Sequence, residues 1–238
     1  MIRVTIYNEF FHEKVDETVK SLYPEGIHNH LKNVLEDDEI LVRTVTLDDI
    51  DTLTKEVLDE TDVLMWWGHV AHDKVPDEVA ARVRNAVLGG MGAIFLHSAH
   101  ISKPFTMLMG TSGSLGWRET GDVSRVWVMD PCHPIAQGID RFLEIENEET
   151  YCEPFDIPTP DELVFTSWYS GGEVFRSGCC WKKGRGKVFY FQPGHETYPV
   201  YHNEDVIKVI KNAVKWAVPV MRVTAGWCPN VKPANEGK

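Results

Sequence analysis

The sequence predicts an α/β protein in which helices cover both faces of a mainly parallel central sheet. Three observations lead to this fold class: short continuous apolar runs typical of fully buried strands, amphipathic helical stretches between them, and short connections. Strands and helices that alternate with such connections form the repeating unit of a parallel sheet. At 238 residues the chain can bury a sizeable core. We predict one domain over residues 1–228 and a polar C-terminal tail over residues 229–238.

The first half of the chain carries the clearest elements. Strands are predicted where β-branched, aromatic or continuous apolar residues cluster, and helices where apolar residues recur at helical spacing. The best-marked helix starts at Pro76, has acidic residues in its first turn and ends before the Gly89-Gly90 pair. In chain order, we predict a strand over 2–7, helices over 15–22 and 27–35, a strand over 39–45, a helix over 48–58, a strand over 62–67, a helix over 76–88 and a strand over 92–96.

After residue 100 the pattern changes to short β-like segments separated by proline, glycine and aspartate. These segments predict a mixed or antiparallel β extension in the second half, after one short helix over 103–109. A strand over 187–191 is expected to rejoin the main sheet, because a strongly amphipathic helix over 204–217 follows it. The other predicted strands are 125–129, 142–145, 163–168 and 173–181.

Charge and cysteine content exclude several classes of partner. The net charge of −12 argues against nucleic acid and anionic membranes, because clustered lysine and arginine bind phosphate-rich surfaces. No run approaches the roughly 18 apolar residues that span a bilayer, and the N-terminal residues do not resemble a signal peptide. Five cysteines without the spacing of a disulfide framework favour a reducing compartment. We therefore expect a cytoplasmic protein that acts on a small molecule.

Histidines and carboxylates follow four of the predicted strands at the point where each strand ends. In open α/β sheets, ligands bind just beyond the carboxyl ends of the strands. If these four strands are parallel and adjacent, their ends face one crevice and bring together six of the ten histidines. A single histidine in such a turn would more simply be a solvated surface residue. The strand ends supply Glu9, His12 and Glu13; His69, His72 and Asp73; His97, Ser98 and His100; and His195 with Glu196.

Three chemistries fit such a cluster. A divalent metal such as zinc could be held by His69, His97 and His195, which come from three different strand ends. Metal-free acid–base catalysis is the second, because histidine titrates near neutrality. Nucleophilic catalysis through Ser98 ranks last, because its turn lacks the glycines of a nucleophile elbow. The catalytic candidates are His97, His195, Glu9 and Glu196.

An acidic stretch over residues 144–153 contains Glu149 and Tyr151, an acid and a phenol that suit the binding and protonation of hydroxyl groups. Such a stretch can also be a solvated edge strand. Eight tryptophans supply aromatic area, and aromatic faces stack on sugar rings. No nucleotide cofactor is expected. The candidates for binding substrate are His12, His28, His72, His100, Ser98, Glu149 and Tyr151.

Motifs spread over nearly the whole chain match one family pattern. They are Asn8-Glu9-Phe10 with His12-Glu13, Tyr23-Pro24-Glu25-Gly26-Ile27-His28, Trp67-Gly68-His69 with His72-Asp73, Leu96-His97-Ser98-Ala99-His100, His133-Pro134-Ile135, Glu149-Thr150-Tyr151, and residues 184–196. On these motifs the chain resembles the ThuA-like trehalose-utilisation proteins, within the class I glutamine amidotransferase-like group. The resemblance implies a flavodoxin-like three-layer sandwich.

In that wider group the corresponding strand-end turn carries a nucleophilic cysteine, paired with a histidine and a glutamate near the C-terminus. Here His97 or Ser98 occupies the turn and no cysteine lies near it, which argues against glutaminase or thiol-protease activity. The His195-Glu196 pair looks like the retained histidine–acid partner.

The resemblance implies an enzyme that acts on a disaccharide or 3-keto-sugar, by hydrolysis or isomerisation, alongside a sugar oxidoreductase. The alternative is a non-catalytic regulatory protein of the same fold that binds a sugar or another metabolite. Formation of a homo-oligomer is left open.

Overall fold

The computed structural model describes residues 1–224, 226 and 230 and is built around one sheet that has nine strands within this part of the chain. Their spatial order is β2-β1-β3-β4-β9-β8-β7-β5-β6. The first five strands in this order pair in parallel, and the remaining pairs are antiparallel. The strands are β1 (Ile2–Asn8), β2 (Ile40–Thr46), β3 (Val63–Trp67), β4 (Gly92–Leu96), β5 (Gly116–Val128), β6 (Phe142–Cys152), β7 (Glu162–Tyr169), β8 (Val174–Lys183) and β9 (Gly186–Phe191).

Helices lie on both faces of the parallel half. They are α1 (His12–Val15), α2 (Glu17–Leu22), α3 (Ile27–Leu35), α4 (Lys55–Glu60), α5 (Asp77–Leu88), α6 (Lys103–Met109) and α7 (Glu204–Ala217). Helices α2, α3 and α7 share one core with alternate strand residues such as Met65 and Leu96. Helices α4, α5 and α6 share the other core with the intervening residues, such as Trp66 and Phe95. Both central strands β3 and β4 are buried throughout, which explains their continuous apolar sequence.

Two predicted helices are interrupted. The predicted helix over 48–58 is a 3-10 segment, Leu47–Thr52, followed by α4, whose first turn is capped by the Thr54 side chain. The predicted helix over 15–22 breaks at Asp16, because its side chain accepts hydrogen bonds from the first backbone N–H groups of α2. In both cases a capping side chain competes with a continuous helix.

The second half is antiparallel, as expected, but two of its strands are much longer than predicted. Strand β5 covers Gly116–Val128 and β6 covers Phe142–Cys152, whereas the sequence predicts only their apolar portions. The additional portions pair with each other through Trp117 and Tyr151 and extend toward the carboxyl ends of the parallel strands. The predicted tail over residues 229–238 lies outside the described residues, apart from residue 230.

None of the helices in the described part of the chain has both the length and the apolar character that crossing a bilayer requires.

Candidate active site

Four histidines meet at the carboxyl ends of the parallel strands. His12 follows β1, His69 follows β3, His97 follows β4 and His195 follows β9. The ring centroids of His69 lie 5.1 Å from His12, 5.9 Å from His97 and 5.3 Å from His195. The His97 and His195 rings are 5.2 Å apart. The structure therefore brings together four of the six strand-end histidines that the sequence assigns to one crevice.

His97 occupies the sharp turn that ends β4. Its backbone lies in the left-handed region, with a φ of 51°, which a side chain with a Cβ adopts at an energetic cost. Its Nδ1 lies 2.9 Å from the Gln192 carbonyl oxygen, to which it donates a hydrogen bond. Its Nε2 lies 3.0 Å from Oε2 of Glu149 on β6. The turn thus directs Nε2 of a buried imidazole toward the carboxylate.

His195 is oriented by the glycine before it and by a buried glutamate. Gly194 has a φ of 146°, and a Cβ there would lie 2.0 Å from the Tyr201 hydroxyl, so only glycine fits. The Glu148 carboxylate accepts hydrogen bonds from the backbone N–H groups of Gly194 and His195, at 2.9 and 3.3 Å. The Nδ1 of His195 hydrogen-bonds the Thr197 hydroxyl at 2.8 Å. These contacts leave Nε2 facing the cluster.

His69 is the third member and shares a carboxylate with His12. Its Nδ1 lies 3.2 Å from Oε1 of Glu196, and the Nδ1 of His12 lies 2.8 Å from the same oxygen. Burial would raise the pKa of Glu196, but the contacts with His12 and His69 lower it to about 2. Glu196, the predicted acid partner of His195, therefore lies closer to His12 and His69 than to His195. Its carboxylate is 3.9 Å from Nδ1 of His195.

The central groups can hold a metal ion. One ligand atom from each of His69, His97, Glu149 and His195 lies within 4.8 Å of the others. The buried Oε2 of Glu149 faces Nε2 of His97 at 3.0 Å without the alignment of a hydrogen bond. The Nδ1 atoms of His97 and His195 hydrogen-bond outer groups that orient the rings, and Nδ1 of His69 lies 3.2 Å from the Glu196 carboxylate. Three imidazole nitrogens and one carboxylate oxygen are a ligand set that Zn²⁺ accepts.

Burial and mutual charge decide which central groups are ionised. Burial would lower the pKa of His97, yet the adjacent Glu149 carboxylate raises it to about 9. Burial would raise the pKa of Glu149, and the same contact with His97 lowers it. Burial lowers the pKa of His69, and burial with the nearby His97 lowers that of His195 to about 4. His69 and His195 are therefore neutral near pH 7, the form that binds metals, whereas His97 must release a proton to become a ligand.

A hydroxyl pair lies next to this centre. The Tyr151 hydroxyl is 2.8 Å from Oγ of Ser98 and 3.4 Å from Nε2 of His97. His100 packs edge-on against the Tyr151 ring, and its Nδ1 donates to the Gly113 carbonyl oxygen at 2.6 Å. Ser98 therefore contacts a phenol, and its role in binding substrate remains a prediction, as does that of His100.

Three further predicted residues lie outside the central group. Both carboxylate oxygens of Glu9 accept backbone N–H bonds, from Val70 and Ala71, each at 2.9 Å, so Glu9 holds the loop after β3. His72 is a partly buried side chain close to this carboxylate. His28 lies apart, with its Nδ1 3.0 Å from the Asn8 amide nitrogen. Their roles in catalysis or substrate binding stay predictions.

Sequence reasoning missed several residues that shape the site. Glu148 and Thr197 orient His195, and Gln192 orients His97 through its backbone. Glu119 on β5 has Oε1 3.9 Å from Nε2 of His195. The extended polar end of β5 delivers Glu119, and an acid within such a polar segment has no distinct sequence pattern. Glu148 is detectable only as a member of the acidic stretch.

A family model described as ThuA, trehalose utilisation, matches residues 3–217. No curated protein matches the chain. The fold is similar to that of a ThuA-like protein from Parabacteroides merdae, with a TM-score of 0.65 and 15% identity over 93% of this chain and 92% of that one.

Two further solved structures have the same fold. A Salmonella typhimurium protein described as cytoplasmic has a TM-score of 0.62 and 11% identity, over 91% of this chain and all (100%) of that one. A GMP synthase protein from Thermoplasma acidophilum has a TM-score of 0.57 and 12% identity, over 90% and 93% of the two chains. These likenesses confirm the predicted α/β fold. With its matched residues spanning β1 to the end of α7, the chain belongs to the ThuA trehalose-utilisation family.

Proposed function

We propose that the protein is a metal-dependent enzyme that acts on a keto-sugar derived from a disaccharide. The ion would be a divalent cation such as zinc, held by His69, His97 and His195 with Glu149 beside them. The observation that carries this proposal is the convergence of three imidazoles, whose Nδ1 atoms each contact an outer group, around the buried Oε2 of Glu149. The sugar class comes from the family description, trehalose utilisation.

The chemistry follows from the acidity of a C–H bond next to a keto group. A bound divalent cation would polarise the carbonyl oxygen. The ionised Glu149 carboxylate is suited to accept the proton from the neighbouring carbon, because it is buried and faces the centre. The hydroxyl of Tyr151, paired with Ser98, is suited to donate a hydrogen bond to a substrate oxygen. Proton abstraction of this kind can begin either an isomerisation or the cleavage of a glycosidic bond.

Metal analysis and turnover test this proposal together. Elemental mass spectrometry of untagged protein is expected to find about one divalent ion per chain. It is expected to convert 3-keto-trehalose, to lose turnover on treatment with a chelator, and to regain it with zinc. Substitution His195→Ala should remove both the metal and the turnover.

The matched control is His202→Gln, which alters an exposed histidine outside the cluster. This variant is expected to keep the metal content and rate of the wild type. Turnover that continues unchanged without metal would refute the metal centre. If the protein bound metal but neither converted nor bound the keto-sugar, the substrate class would be refuted. That outcome would favour a protein that binds another metabolite.

We further propose that the protein works in the cytoplasm, with a sugar oxidoreductase that supplies the keto group. A keto-sugar arises by oxidation of a sugar hydroxyl, so a redox enzyme must act before this one. The cytoplasmic description of the similar Salmonella protein supports the location. Growth on the disaccharide after deletion of either enzyme tests the partnership, because loss of either should block the same pathway.

A further inference from the structure

Trp117 differs from the other tryptophans in the described part of the chain. Its side chain is 67% exposed, and no stacking, cation–π or indole hydrogen bond involves it among the described residues. Six others have such a partner: Trp66, Trp67, Trp127, Trp168, Trp181 and Trp216. An exposed indole without a partner on a rigid strand is an open apolar surface.

The register of β5 and β6 places Trp117 on the same face as the site. Trp117 is directly opposite Tyr151 in this antiparallel pair, and opposite residues project from the same face. Their neighbours Arg118 and Thr150 are also opposite each other, and both contact Asp122. Because successive residues of a strand alternate between faces, the Asp122 contacts mark the other face.

The same strand continues from Trp117 into the cluster. Glu119, two residues later, has Oε1 3.4 Å from the Thr197 hydroxyl and 3.9 Å from Nε2 of His195. On the facing strand, the Tyr151 hydroxyl is 3.4 Å from Nε2 of His97. Trp117 therefore lies on the strand next to Tyr151, with the two Cβ atoms on the order of 5 Å apart. Tyr151 in turn contacts His97 of the cluster.

We propose that Trp117 is the stacking surface for the second sugar ring of a disaccharide whose first ring lies at the histidine cluster. This inference rests on the proposed function, since it takes a sugar as the substrate. A pyranose ring presents a face of C–H groups, and the exposed face of an indole suits that surface. A first ring at the histidine cluster would lie beside Tyr151, which is one strand away from Trp117, so a monosaccharide at the centre would not need Trp117.

Calorimetric titration of the metal-loaded protein with trehalose and with glucose tests this assignment. We expect Trp117→Ala to weaken trehalose binding by about threefold to tenfold, the range that an aromatic contact contributes. Glucose binding should stay unchanged, and Trp117→Phe should recover part of the affinity for trehalose. The control Trp168→Ala removes a half-exposed indole that packs on Arg125, and it should bind both sugars normally.

Equal trehalose affinity in the wild type and in Trp117→Ala would overturn the proposal. An equal loss for both sugars would overturn it too, because the indole would then contact the first ring. If Trp117→Ala changed the molecular mass in solution while sugar binding stayed intact, the indole would be a protein contact instead. The Trp117 proposal would also be overturned if the wild type bound neither sugar. The metal content of the protein would still test the metal centre independently.

Discussion

At the scale of single residues, each central histidine is oriented by a group that contacts its outer nitrogen. His97 uses a backbone carbonyl, His195 a threonine hydroxyl and His69 the carboxylate of Glu196. Among these outer groups, only the one at His69 is charged. Because it also contacts His12, Glu196 ties two strand ends together behind the centre.

Substitution Glu196→Gln tests this orienting role. The amide keeps the shape of the side chain but removes the charge that His12 and His69 face, so His69 loses its electrostatic anchor. We expect the affinity for zinc to fall about tenfold to a hundredfold, as is usual when an outer carboxylate is lost. Competition with a chromophoric chelator measures this affinity. The matched control is Glu162→Gln, whose carboxylate contacts His133, and neither residue belongs to the cluster. An equal loss in both variants would contradict the prediction.

His100 makes stability depend on pH. Burial lowers its pKa to about 3, against 6.5 for the free side chain, so the unfolded chain takes up this proton first as the pH falls. The contribution to stability is therefore complete above pH 6.5 and is lost progressively between pH 6.5 and 3. Substitution His100→Asn retains an N–H donor and removes the titration. Urea unfolding of chelator-treated protein at pH 7.5 and 5.5 should give a smaller decrease in free energy for the variant, and an identical decrease would contradict the assignment.

The residues that could be predicted are those that follow the strand-end rule. His12, His69, His97 and His195 each come directly after a parallel strand, so their proximity follows from topology. Glu119 and Glu148 lie within antiparallel strands, and their position depends on pairing between segments distant in sequence. A single sequence contains no signal for that register. Glu149 lies on such a strand too, so its contact with His97 could not be predicted for the same reason.

At the scale of elements, the polar ends of β5 and β6 are held by one carboxylate. Asp122 on β5 accepts hydrogen bonds from Arg118, from Thr150 on β6 at 2.9 Å, and from Ser170 in the turn after β7 at 2.6 Å. Thr150 lies between Glu149 and Tyr151, so this network fixes the strand that carries two residues of the site. Charge-assisted bonds of this kind take the place of an apolar core here.

Substitution Asp122→Ala should therefore affect both stability and the site. Loss of several hydrogen bonds to a charged acceptor is expected to reduce the free energy of unfolding by about 2 kcal/mol. Zinc affinity should also fall, because Glu149 is on the strand that loses its support. Urea denaturation and chelator competition measure the two effects. The control Asp130→Ala removes an exposed carboxylate that accepts only a local backbone bond, and it should alter neither quantity appreciably.

The same network explains why these strands were predicted too short. Residues 116–124 contain two glycines, three charged residues and two small hydroxyl residues, a composition typical of loops. The strand forms because cross-strand bonds satisfy those side chains, as the Arg118, Asp122 and Thr150 contacts illustrate. The parallel half was predictable because its strands are buried on both faces and need no specific partner to be recognised as strands.

At the scale of the whole molecule, the proposed metal site joins the two halves of the sheet. His69 and His97 follow β3 and β4 of the parallel half, whereas Glu149 belongs to the antiparallel strand β6 at the far edge of the sheet order. His195 follows β9, where the two halves meet. The ligands span residues 69 to 195, so they come together only in the folded chain. An ion bound by the three histidines beside Glu149 would therefore select the folded state.

Zinc should accordingly raise the stability of the whole protein. At a free zinc concentration a hundredfold above the dissociation constant, the free energy of unfolding is expected to rise by about 2.7 kcal/mol. Urea denaturation of chelator-treated protein with and without zinc measures this increase. In His195→Ala the increase should largely disappear, while His202→Gln should show it in full, since residue 202 is outside the cluster. If zinc stabilised His195→Ala as strongly as the wild type, the ion would be binding elsewhere, and the convergence of the four strands would serve another purpose.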